Sequence, residues 1–198
     1  MAHDKRYTKH DESEGYLKIG PIETFRRRIP WLLVLMISAT FTGRIIAAFE
    51  SALAAQSALI VFIPMLMDTG GNSGSQASVT VIRSLYLREL RARDVWKVLW
   101  KEGSVALLCG GVLSGANFIK LLVVDNLLFR TGVPVRVAVA VCMTLWCTVL
   151  VAKLVGCSLP LLAKKCGFDP AVMAGPFITT VVDALSLLIY FGIAHLFL

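Results

Sequence analysis

The sequence predicts an all-α integral membrane protein with five transmembrane helices per subunit. Three observations carry that prediction. Hydrophobic residues make up 57% of the 198 and the mean hydropathy is +0.73, whereas a soluble domain is roughly 45–50% apolar. Apolar runs of about twenty residues recur, each long enough to cross a hydrocarbon core of about 30 Å. Lys and Arg gather at the ends of those runs, as membrane topology requires. The net charge of +7 therefore reflects topology. It does not point to nucleic acid, because no interleaving of basic and aromatic residues and no RNA-binding motif occurs.

Met1–Arg28 is hydrophilic, lacks the apolar stretch of a signal peptide and ends in Arg26-Arg27-Arg28. It reads as a short cytoplasmic lead over residues 1–29, ahead of a membrane domain over residues 30–198. Its acids Asp11, Glu12 and Glu14 read as part of a solvated tail. The first span runs from about Pro30 to Ala48, with Trp31 at the interface and Glu50 at its far end. The second begins near Ala52 and contains IPMLMDTGGNSGSQASVTVIRSL, Ile63–Leu85. Its polar middle suits a re-entrant turn as well as a crossing. A basic segment, Arg83–Lys101, follows. There Leu87, Leu90, Val95 and Val98 recur at helical spacing and predict an amphipathic helix on the inner surface.

The third span is Ser104–Val124, and Asp125–Val133 is a short outer loop. The fourth runs from Pro134 to Ala163, bent near Pro160. Lys164-Lys165 and CGFDP make the next inner turn, and the fifth span covers Ala171–Leu198. Fifteen of the 20 basic residues fall in the three inner segments. That count places the N-terminus in the cytoplasm and the C-terminus outside a multi-pass cell (inner) membrane protein. The five cysteines form no CxxC pair, and four lie in or beside apolar runs. They read as small packing residues.

An ionisable group in hydrocarbon costs at least ~2.5–3.5 kcal/mol, so it faces a partner, a cavity or a pathway. Asp68 and Asp183 are the two acids predicted at mid-membrane depth. Asp183 lies ~18 Å into the fifth span at about 1.5 Å per residue. Thr179, Thr180 and Ser186 share its helical face, so one side of this span is polar, as a helix lining a wet path would be. In the second span Gly70, Gly71 and Gly74 weaken the helix and admit close backbones. Irregular backbone is tolerated at that depth only where protein or a water-filled cavity solvates it. Free carbonyls and the side-chain oxygens of Asn72 and Gln76 are hard donors suited to Mg2+, Ca2+ or alkali ions. Gly70/Gly74 and Gly111/Gly115 also match the GxxxG packing pattern, which is common and weak. One subunit offers too little charge for a dication. A two-fold dimer, the commonest oligomer, would bring two Asp183 carboxylates to one axis, which suits hydrated Mg2+.

These residues resemble the transmembrane domain of the MgtE family of magnesium channels and transporters. The resemblance covers about Arg28 to Leu198. It rests on RIPWLL and FE around the first span, PMLMDTGGNSGSQASVTVIRSL in the second, and DPAVMAGPFITTVVDALSLLIYFGIA in the last. It implies a homodimer in the lipid bilayer, five helices per subunit, and a cation pore on the two-fold axis. It implies that the Mg2+-binding aspartate is Asp183 and that backbone oxygens around Thr179 face the same ion. Gly70, Gly71 and Asn72 would border the pore, with Ser75 and Gln76 in the same motif. Two departures stand out. Many members carry Gly where this chain has Ser186. Members also commonly carry a helical domain, paired CBS modules and a plug helix ahead of the first span. Only the short lead is expected here, so CBS-type gating is not expected of this chain, whether it is a short homologue or an excised domain.

The predicted function is therefore transport of Mg2+, with Mn2+, Co2+ or Ni2+ as related octahedral ions. A dication gains ~4.6 kcal/mol on entering across 100 mV, so passive influx needs no coupling. A Na+-coupled exchanger is the alternative, with Asp68 or Glu50 supplying a second ion site. No HExxH, GxSxG or Walker A pattern occurs, so an enzyme is not expected. A scaffold would not need the Asp183 stripe.

Overall fold

A computed structural model describes residues 20–55, 57–168, 170 and 175–197. The lead before Gly20, Asp169 of the CGFDP turn and the expected start of the last span at Ala171 lie outside the described residues. Among these residues six α-helices follow in order: α1 Pro21–Ala48, α2 Glu50–Ala55, α3 Ile63–Tyr86, α4 Val95–Lys120, α5 Val135–Lys165 and α6 Pro176–Phe197. A 3-10 turn, Ser57–Phe62, leads into α3, and a π-helix, Leu121–Leu128, continues α4.

Among the described residues, four helical segments are long and apolar enough to cross a membrane: Pro21–Ala48, Val95–Leu128, Val135–Lys165 and Pro176–Phe197. The helix carrying the glycine-rich stretch is not among them. At 24 residues α3 would reach ~36 Å, but its composition is too polar. Five spans thus rest on α3 crossing inside a sheath of apolar neighbours.

The chain divides into two units, Met1–Ser38 and Ala39–Leu198. In the first, α1 begins at Pro21, a residue preorganised for the opening turn of a helix. The basic triplet is therefore helical and continuous with the span. The expected boundary near residue 29 falls inside α1, which continues through Pro30 although an interior proline forgoes one helical hydrogen bond.

The second unit is organised around α5, which packs against α3, α4 and α6, while α3 also packs on α6. Its main core joins Leu59, Phe62 and Leu66 to Val141, Leu145 and Val149 of α5 and to Leu187, Tyr190 and Phe191 of α6. Phe49, just past α1, stacks on Phe191 with ring centroids 4.5 Å apart. The Tyr190 hydroxyl donates to the Leu59 carbonyl at 2.9 Å, tying α6 to the 3-10 turn. A second cluster joins Ala77 and Val81 to Val98, Cys157 and Leu161.

Two expectations are corrected. The glycine-rich stretch is neither broken nor re-entrant: α3 runs unbroken from Ile63 to Tyr86. The irregular backbone lies earlier, in Ser57–Phe62, just before Pro64. A helix satisfies its own backbone groups, which a low-dielectric setting demands, and tight packing offsets the weak helix propensity of its glycines. The amphipathic helix expected within Arg83–Lys101 does not form either. Arg88 takes a left-handed conformation, φ 59°, and the Glu89 and Leu90 amides return to the Ser84 carbonyl at 2.9 and 3.2 Å. Leu90, Val95 and Leu99 then fold onto the second cluster.

Candidate functional site

The site is built where α3 meets α6. The Thr179 and Thr180 hydroxyls both donate to the Pro176 carbonyl, at 2.9 and 2.8 Å. Their protons are committed to the backbone, and their oxygen lone pairs remain available as acceptors. One turn on, Asp183 is half-buried. Among the described residues, no hydrogen bond or ion pair engages its carboxylate.

The glycines of α3 make room for this face. A Cβ on Gly71 would meet the Thr179 methyl at 3.2 Å and an Asp183 carboxylate oxygen at 3.8 Å. A Cβ on Gly70 would stand 2.8 Å from both the Ser186 hydroxyl and the Thr148 methyl, and one on Gly74 would be 3.0 Å from the Ala152 carbonyl. On the opposite helix a Cβ on Gly156 would overlap the Gly74 carbonyl. Pro160, four residues after Gly156, cannot donate the usual helical bond to it, and the α5 backbone lies directly against the α3 backbone at Gly156 and Gly74. By contrast, nothing lies within 4 Å of a Cβ at Gly111 or Gly115. Of the two GxxxG patterns, only Gly70/Gly74 is a packing face within this chain.

The polar residues of α3 divide between two surroundings. Asp68, Thr69, Asn72, Ser73 and Gln76 line a cleft of about 520 Å³ against Leu108, Cys109, Val112 and Leu113 of α4 and Lys153 of α5. Asn72 and Gln76 are thus turned toward α4, away from the Gly71–Asp183 contact, because they lie on a different helical face. Asp68 lines the cleft and also acts electrostatically on Asp183. Ser75, one turn after Gly71, is half-buried.

Ser186 departs from expectation. It is 1% exposed, donates to the Val182 carbonyl at 2.7 Å and fills the space beside Gly70. Ser186 and Gly70 are packing positions rather than part of an open lining. Glu50 is exposed at the start of α2, and among the described residues no contact joins it to the other candidates. Nor do the described residues bring together three or more His, Cys, Asp or Glu side chains that could hold a metal.

Sequence reasoning missed Lys153. It is 6% exposed within an otherwise apolar run, TVLVAKLVGCSL. The rule that singled out Asp183, an ionisable group deep in an apolar run, would have found it. The positive-inside count passed over it because it belongs to no loop.

Long apolar helices packed against a polar, glycine-rich one define a helical membrane protein. A family model described as "Divalent cation transporter" matches residues 63–193, and the chain belongs to this family, MgtE. It is 38% identical over 183 residues to a protein of Thermus thermophilus named "Magnesium transporter MgtE", a match covering 92% of this chain and 39% of that protein. Proteins of the same name from Enterococcus faecalis and Bacillus subtilis are 33% identical over 179 residues and 34% identical over 172. The chain thus matches well under half the length of these relatives.

Proposed function

We propose that this chain carries Mg2+ across the membrane as a homodimer, with the transported ion held on a two-fold axis by Asp183 of both copies. The observation that carries this reading is a carboxylate on an apolar helix, half-buried, unengaged among the described residues and set against the glycine face of α3. Mg2+ sheds water reluctantly and usually takes one or two carboxylates while keeping several waters. Thr179 and Thr180 offer further oxygens on the same face, with Gly71 opposite Thr179. Asp68 adds negative charge nearby. The three relatives are named as magnesium transporters, which favours Mg2+ over Mn2+, Co2+ or Ni2+. In this reading α3 is a fifth span, the N-terminus is cytoplasmic and the C-terminus extracytoplasmic.

The test is Mg2+ flux into liposomes holding the purified chain, wild type beside Asp183→Asn, under a potential and without Na+. Potential-driven flux that disappears in the variant supports a channel-like path through Asp183. Equal flux in both sinks the Asp183 site. Flux that needs Na+ on the opposite side moves the mechanism to an exchanger. No flux of either kind leaves a membrane scaffold.

A further inference from the structure

Lys153 is the least expected charge in the second unit. It lies in α5, about three turns before Lys165, and is 6% exposed. Among the described residues its ammonium makes no ion pair or hydrogen bond. An unpartnered ammonium at such depth is costly, and residues of this kind face a counter-charge or a pathway. The cleft it lines contains one acid, Asp68. Asp68 is also the acid that acts on Asp183, so one carboxylate is shared by the lysine's cleft and the proposed ion site.

We infer that Lys153 is the resident counter-cation of Asp68 and sets how tightly the transported dication is held. This rests on the ion site proposed at Asp183. A lysine suits such a role because its stem is flexible and its head is a compact charge, so it can follow Asp68 across the cleft. The hydroxyls and amides of Thr69, Ser73, Asn72 and Gln76 solvate it on the way. While the site holds no dication, the ammonium neutralises Asp68. A dication near Asp68 and Asp183 competes with the ammonium for the Asp68 carboxylate, and its double charge makes it the stronger competitor at equal distance. An anion could also satisfy Lys153, but the Asp68 carboxylate in the same cleft disfavours one.

The test compares the full chain with Lys153→Met, Lys153→Arg, Asp68→Asn and the Asp68→Asn/Lys153→Met double variant. Methionine replaces the lysine stem without its charge; the double variant removes both charges together, the exchange that buried pairs often tolerate. In liposomes, Lys153→Met is expected to lower the half-saturating Mg2+ concentration by roughly three- to tenfold, the size of a partly solvated charge–charge interaction. Maximal flux should change less. Lys153→Arg keeps the charge and should stay near wild type. In the Asp68→Asn background, the Met substitution should have no further effect. An unchanged half-saturation in Lys153→Met, or the same shift without Asp68, overturns the inference.

A second measurement needs no transport. Thermal melting of the four forms that close the double-mutant cycle should show coupling between positions 68 and 153 in EDTA, reduced by saturating Mg2+. Absent coupling, or coupling indifferent to Mg2+, also overturns the inference. A chain that passes this test but conducts no Mg2+ would instead sink the proposed transport.

Discussion

Gly71 faces Asp183 with no side chain between them: a Cβ on Gly71 would stand 3.8 Å from the carboxylate and 3.2 Å from the Thr179 methyl. The glycine-rich stretch and the aspartate stripe, more than a hundred residues apart in sequence, are thus two sides of one contact. Gly71→Ala asks only the Thr179 methyl to yield by a few tenths of an ångström. It should change stability by less than about 1 kcal/mol and still raise the half-saturating Mg2+ concentration, because it crowds the site. Melting and flux on one preparation would separate the two effects.

Gly156→Ala should be far more damaging. Its methyl would overlap the Gly74 carbonyl, and neither backbone can rotate away as a side chain would. The expected loss is about 3 kcal/mol or more, beyond ordinary overpacking. Gly111→Ala and Gly115→Ala meet nothing within 4 Å and should be neutral, or gain up to about 1 kcal/mol of helix propensity. Thermal unfolding in detergent distinguishes these outcomes. Equal effects at Gly111 and Gly156 would contradict the packing described.

Ser186 tests whether the polar stripe is one surface or two. Buried and bonded to the Val182 carbonyl, it should tolerate Ala with flux near wild type, whereas Asp183→Asn should abolish flux. A comparable loss in Ser186→Ala would return Ser186 to the ion path.

Tyr190→Phe removes the hydroxyl that engages the Leu59 carbonyl in a fully buried setting. A buried acceptor left unpaired costs about 1–3 kcal/mol. The loss should appear as lower stability and faster hydrogen exchange across residues 57–62, with unchanged exchange in α5.

Asn126 fastens the turn after the π-helix. Its side chain accepts from the Val133 amide at 2.7 Å and donates to the Val133 carbonyl at 3.0 Å. Asn126→Ala should cost about 1–2 kcal/mol and speed protease cleavage within residues 129–134. Unchanged cleavage would show that Val133 is held by other contacts.

The sequence by itself determined the membrane class and four of the apolar helices, and it marked Asp183 as the acid to test. Each follows from local facts: run length, hydropathy and the cost of a charge in hydrocarbon. Pattern also marked out DTGGNSGSQ, but its backbone was not legible. Three glycines lower helix propensity locally, and close packing against Thr148, Ala152, Gly156, Thr179 and Val182 on other helices offsets that. Tertiary structure likewise separated Gly70/Gly74 from Gly111/Gly115, since a GxxxG spacing says nothing about what lies opposite. It drew Ser186 out of the stripe by burying it beside Gly70, turned Asn72 and Gln76 toward α4, and gave Lys153 the Asp68 cleft to face. Helical periodicity fixes which residues share a face; which neighbour that face meets depends on side chains distant in the chain.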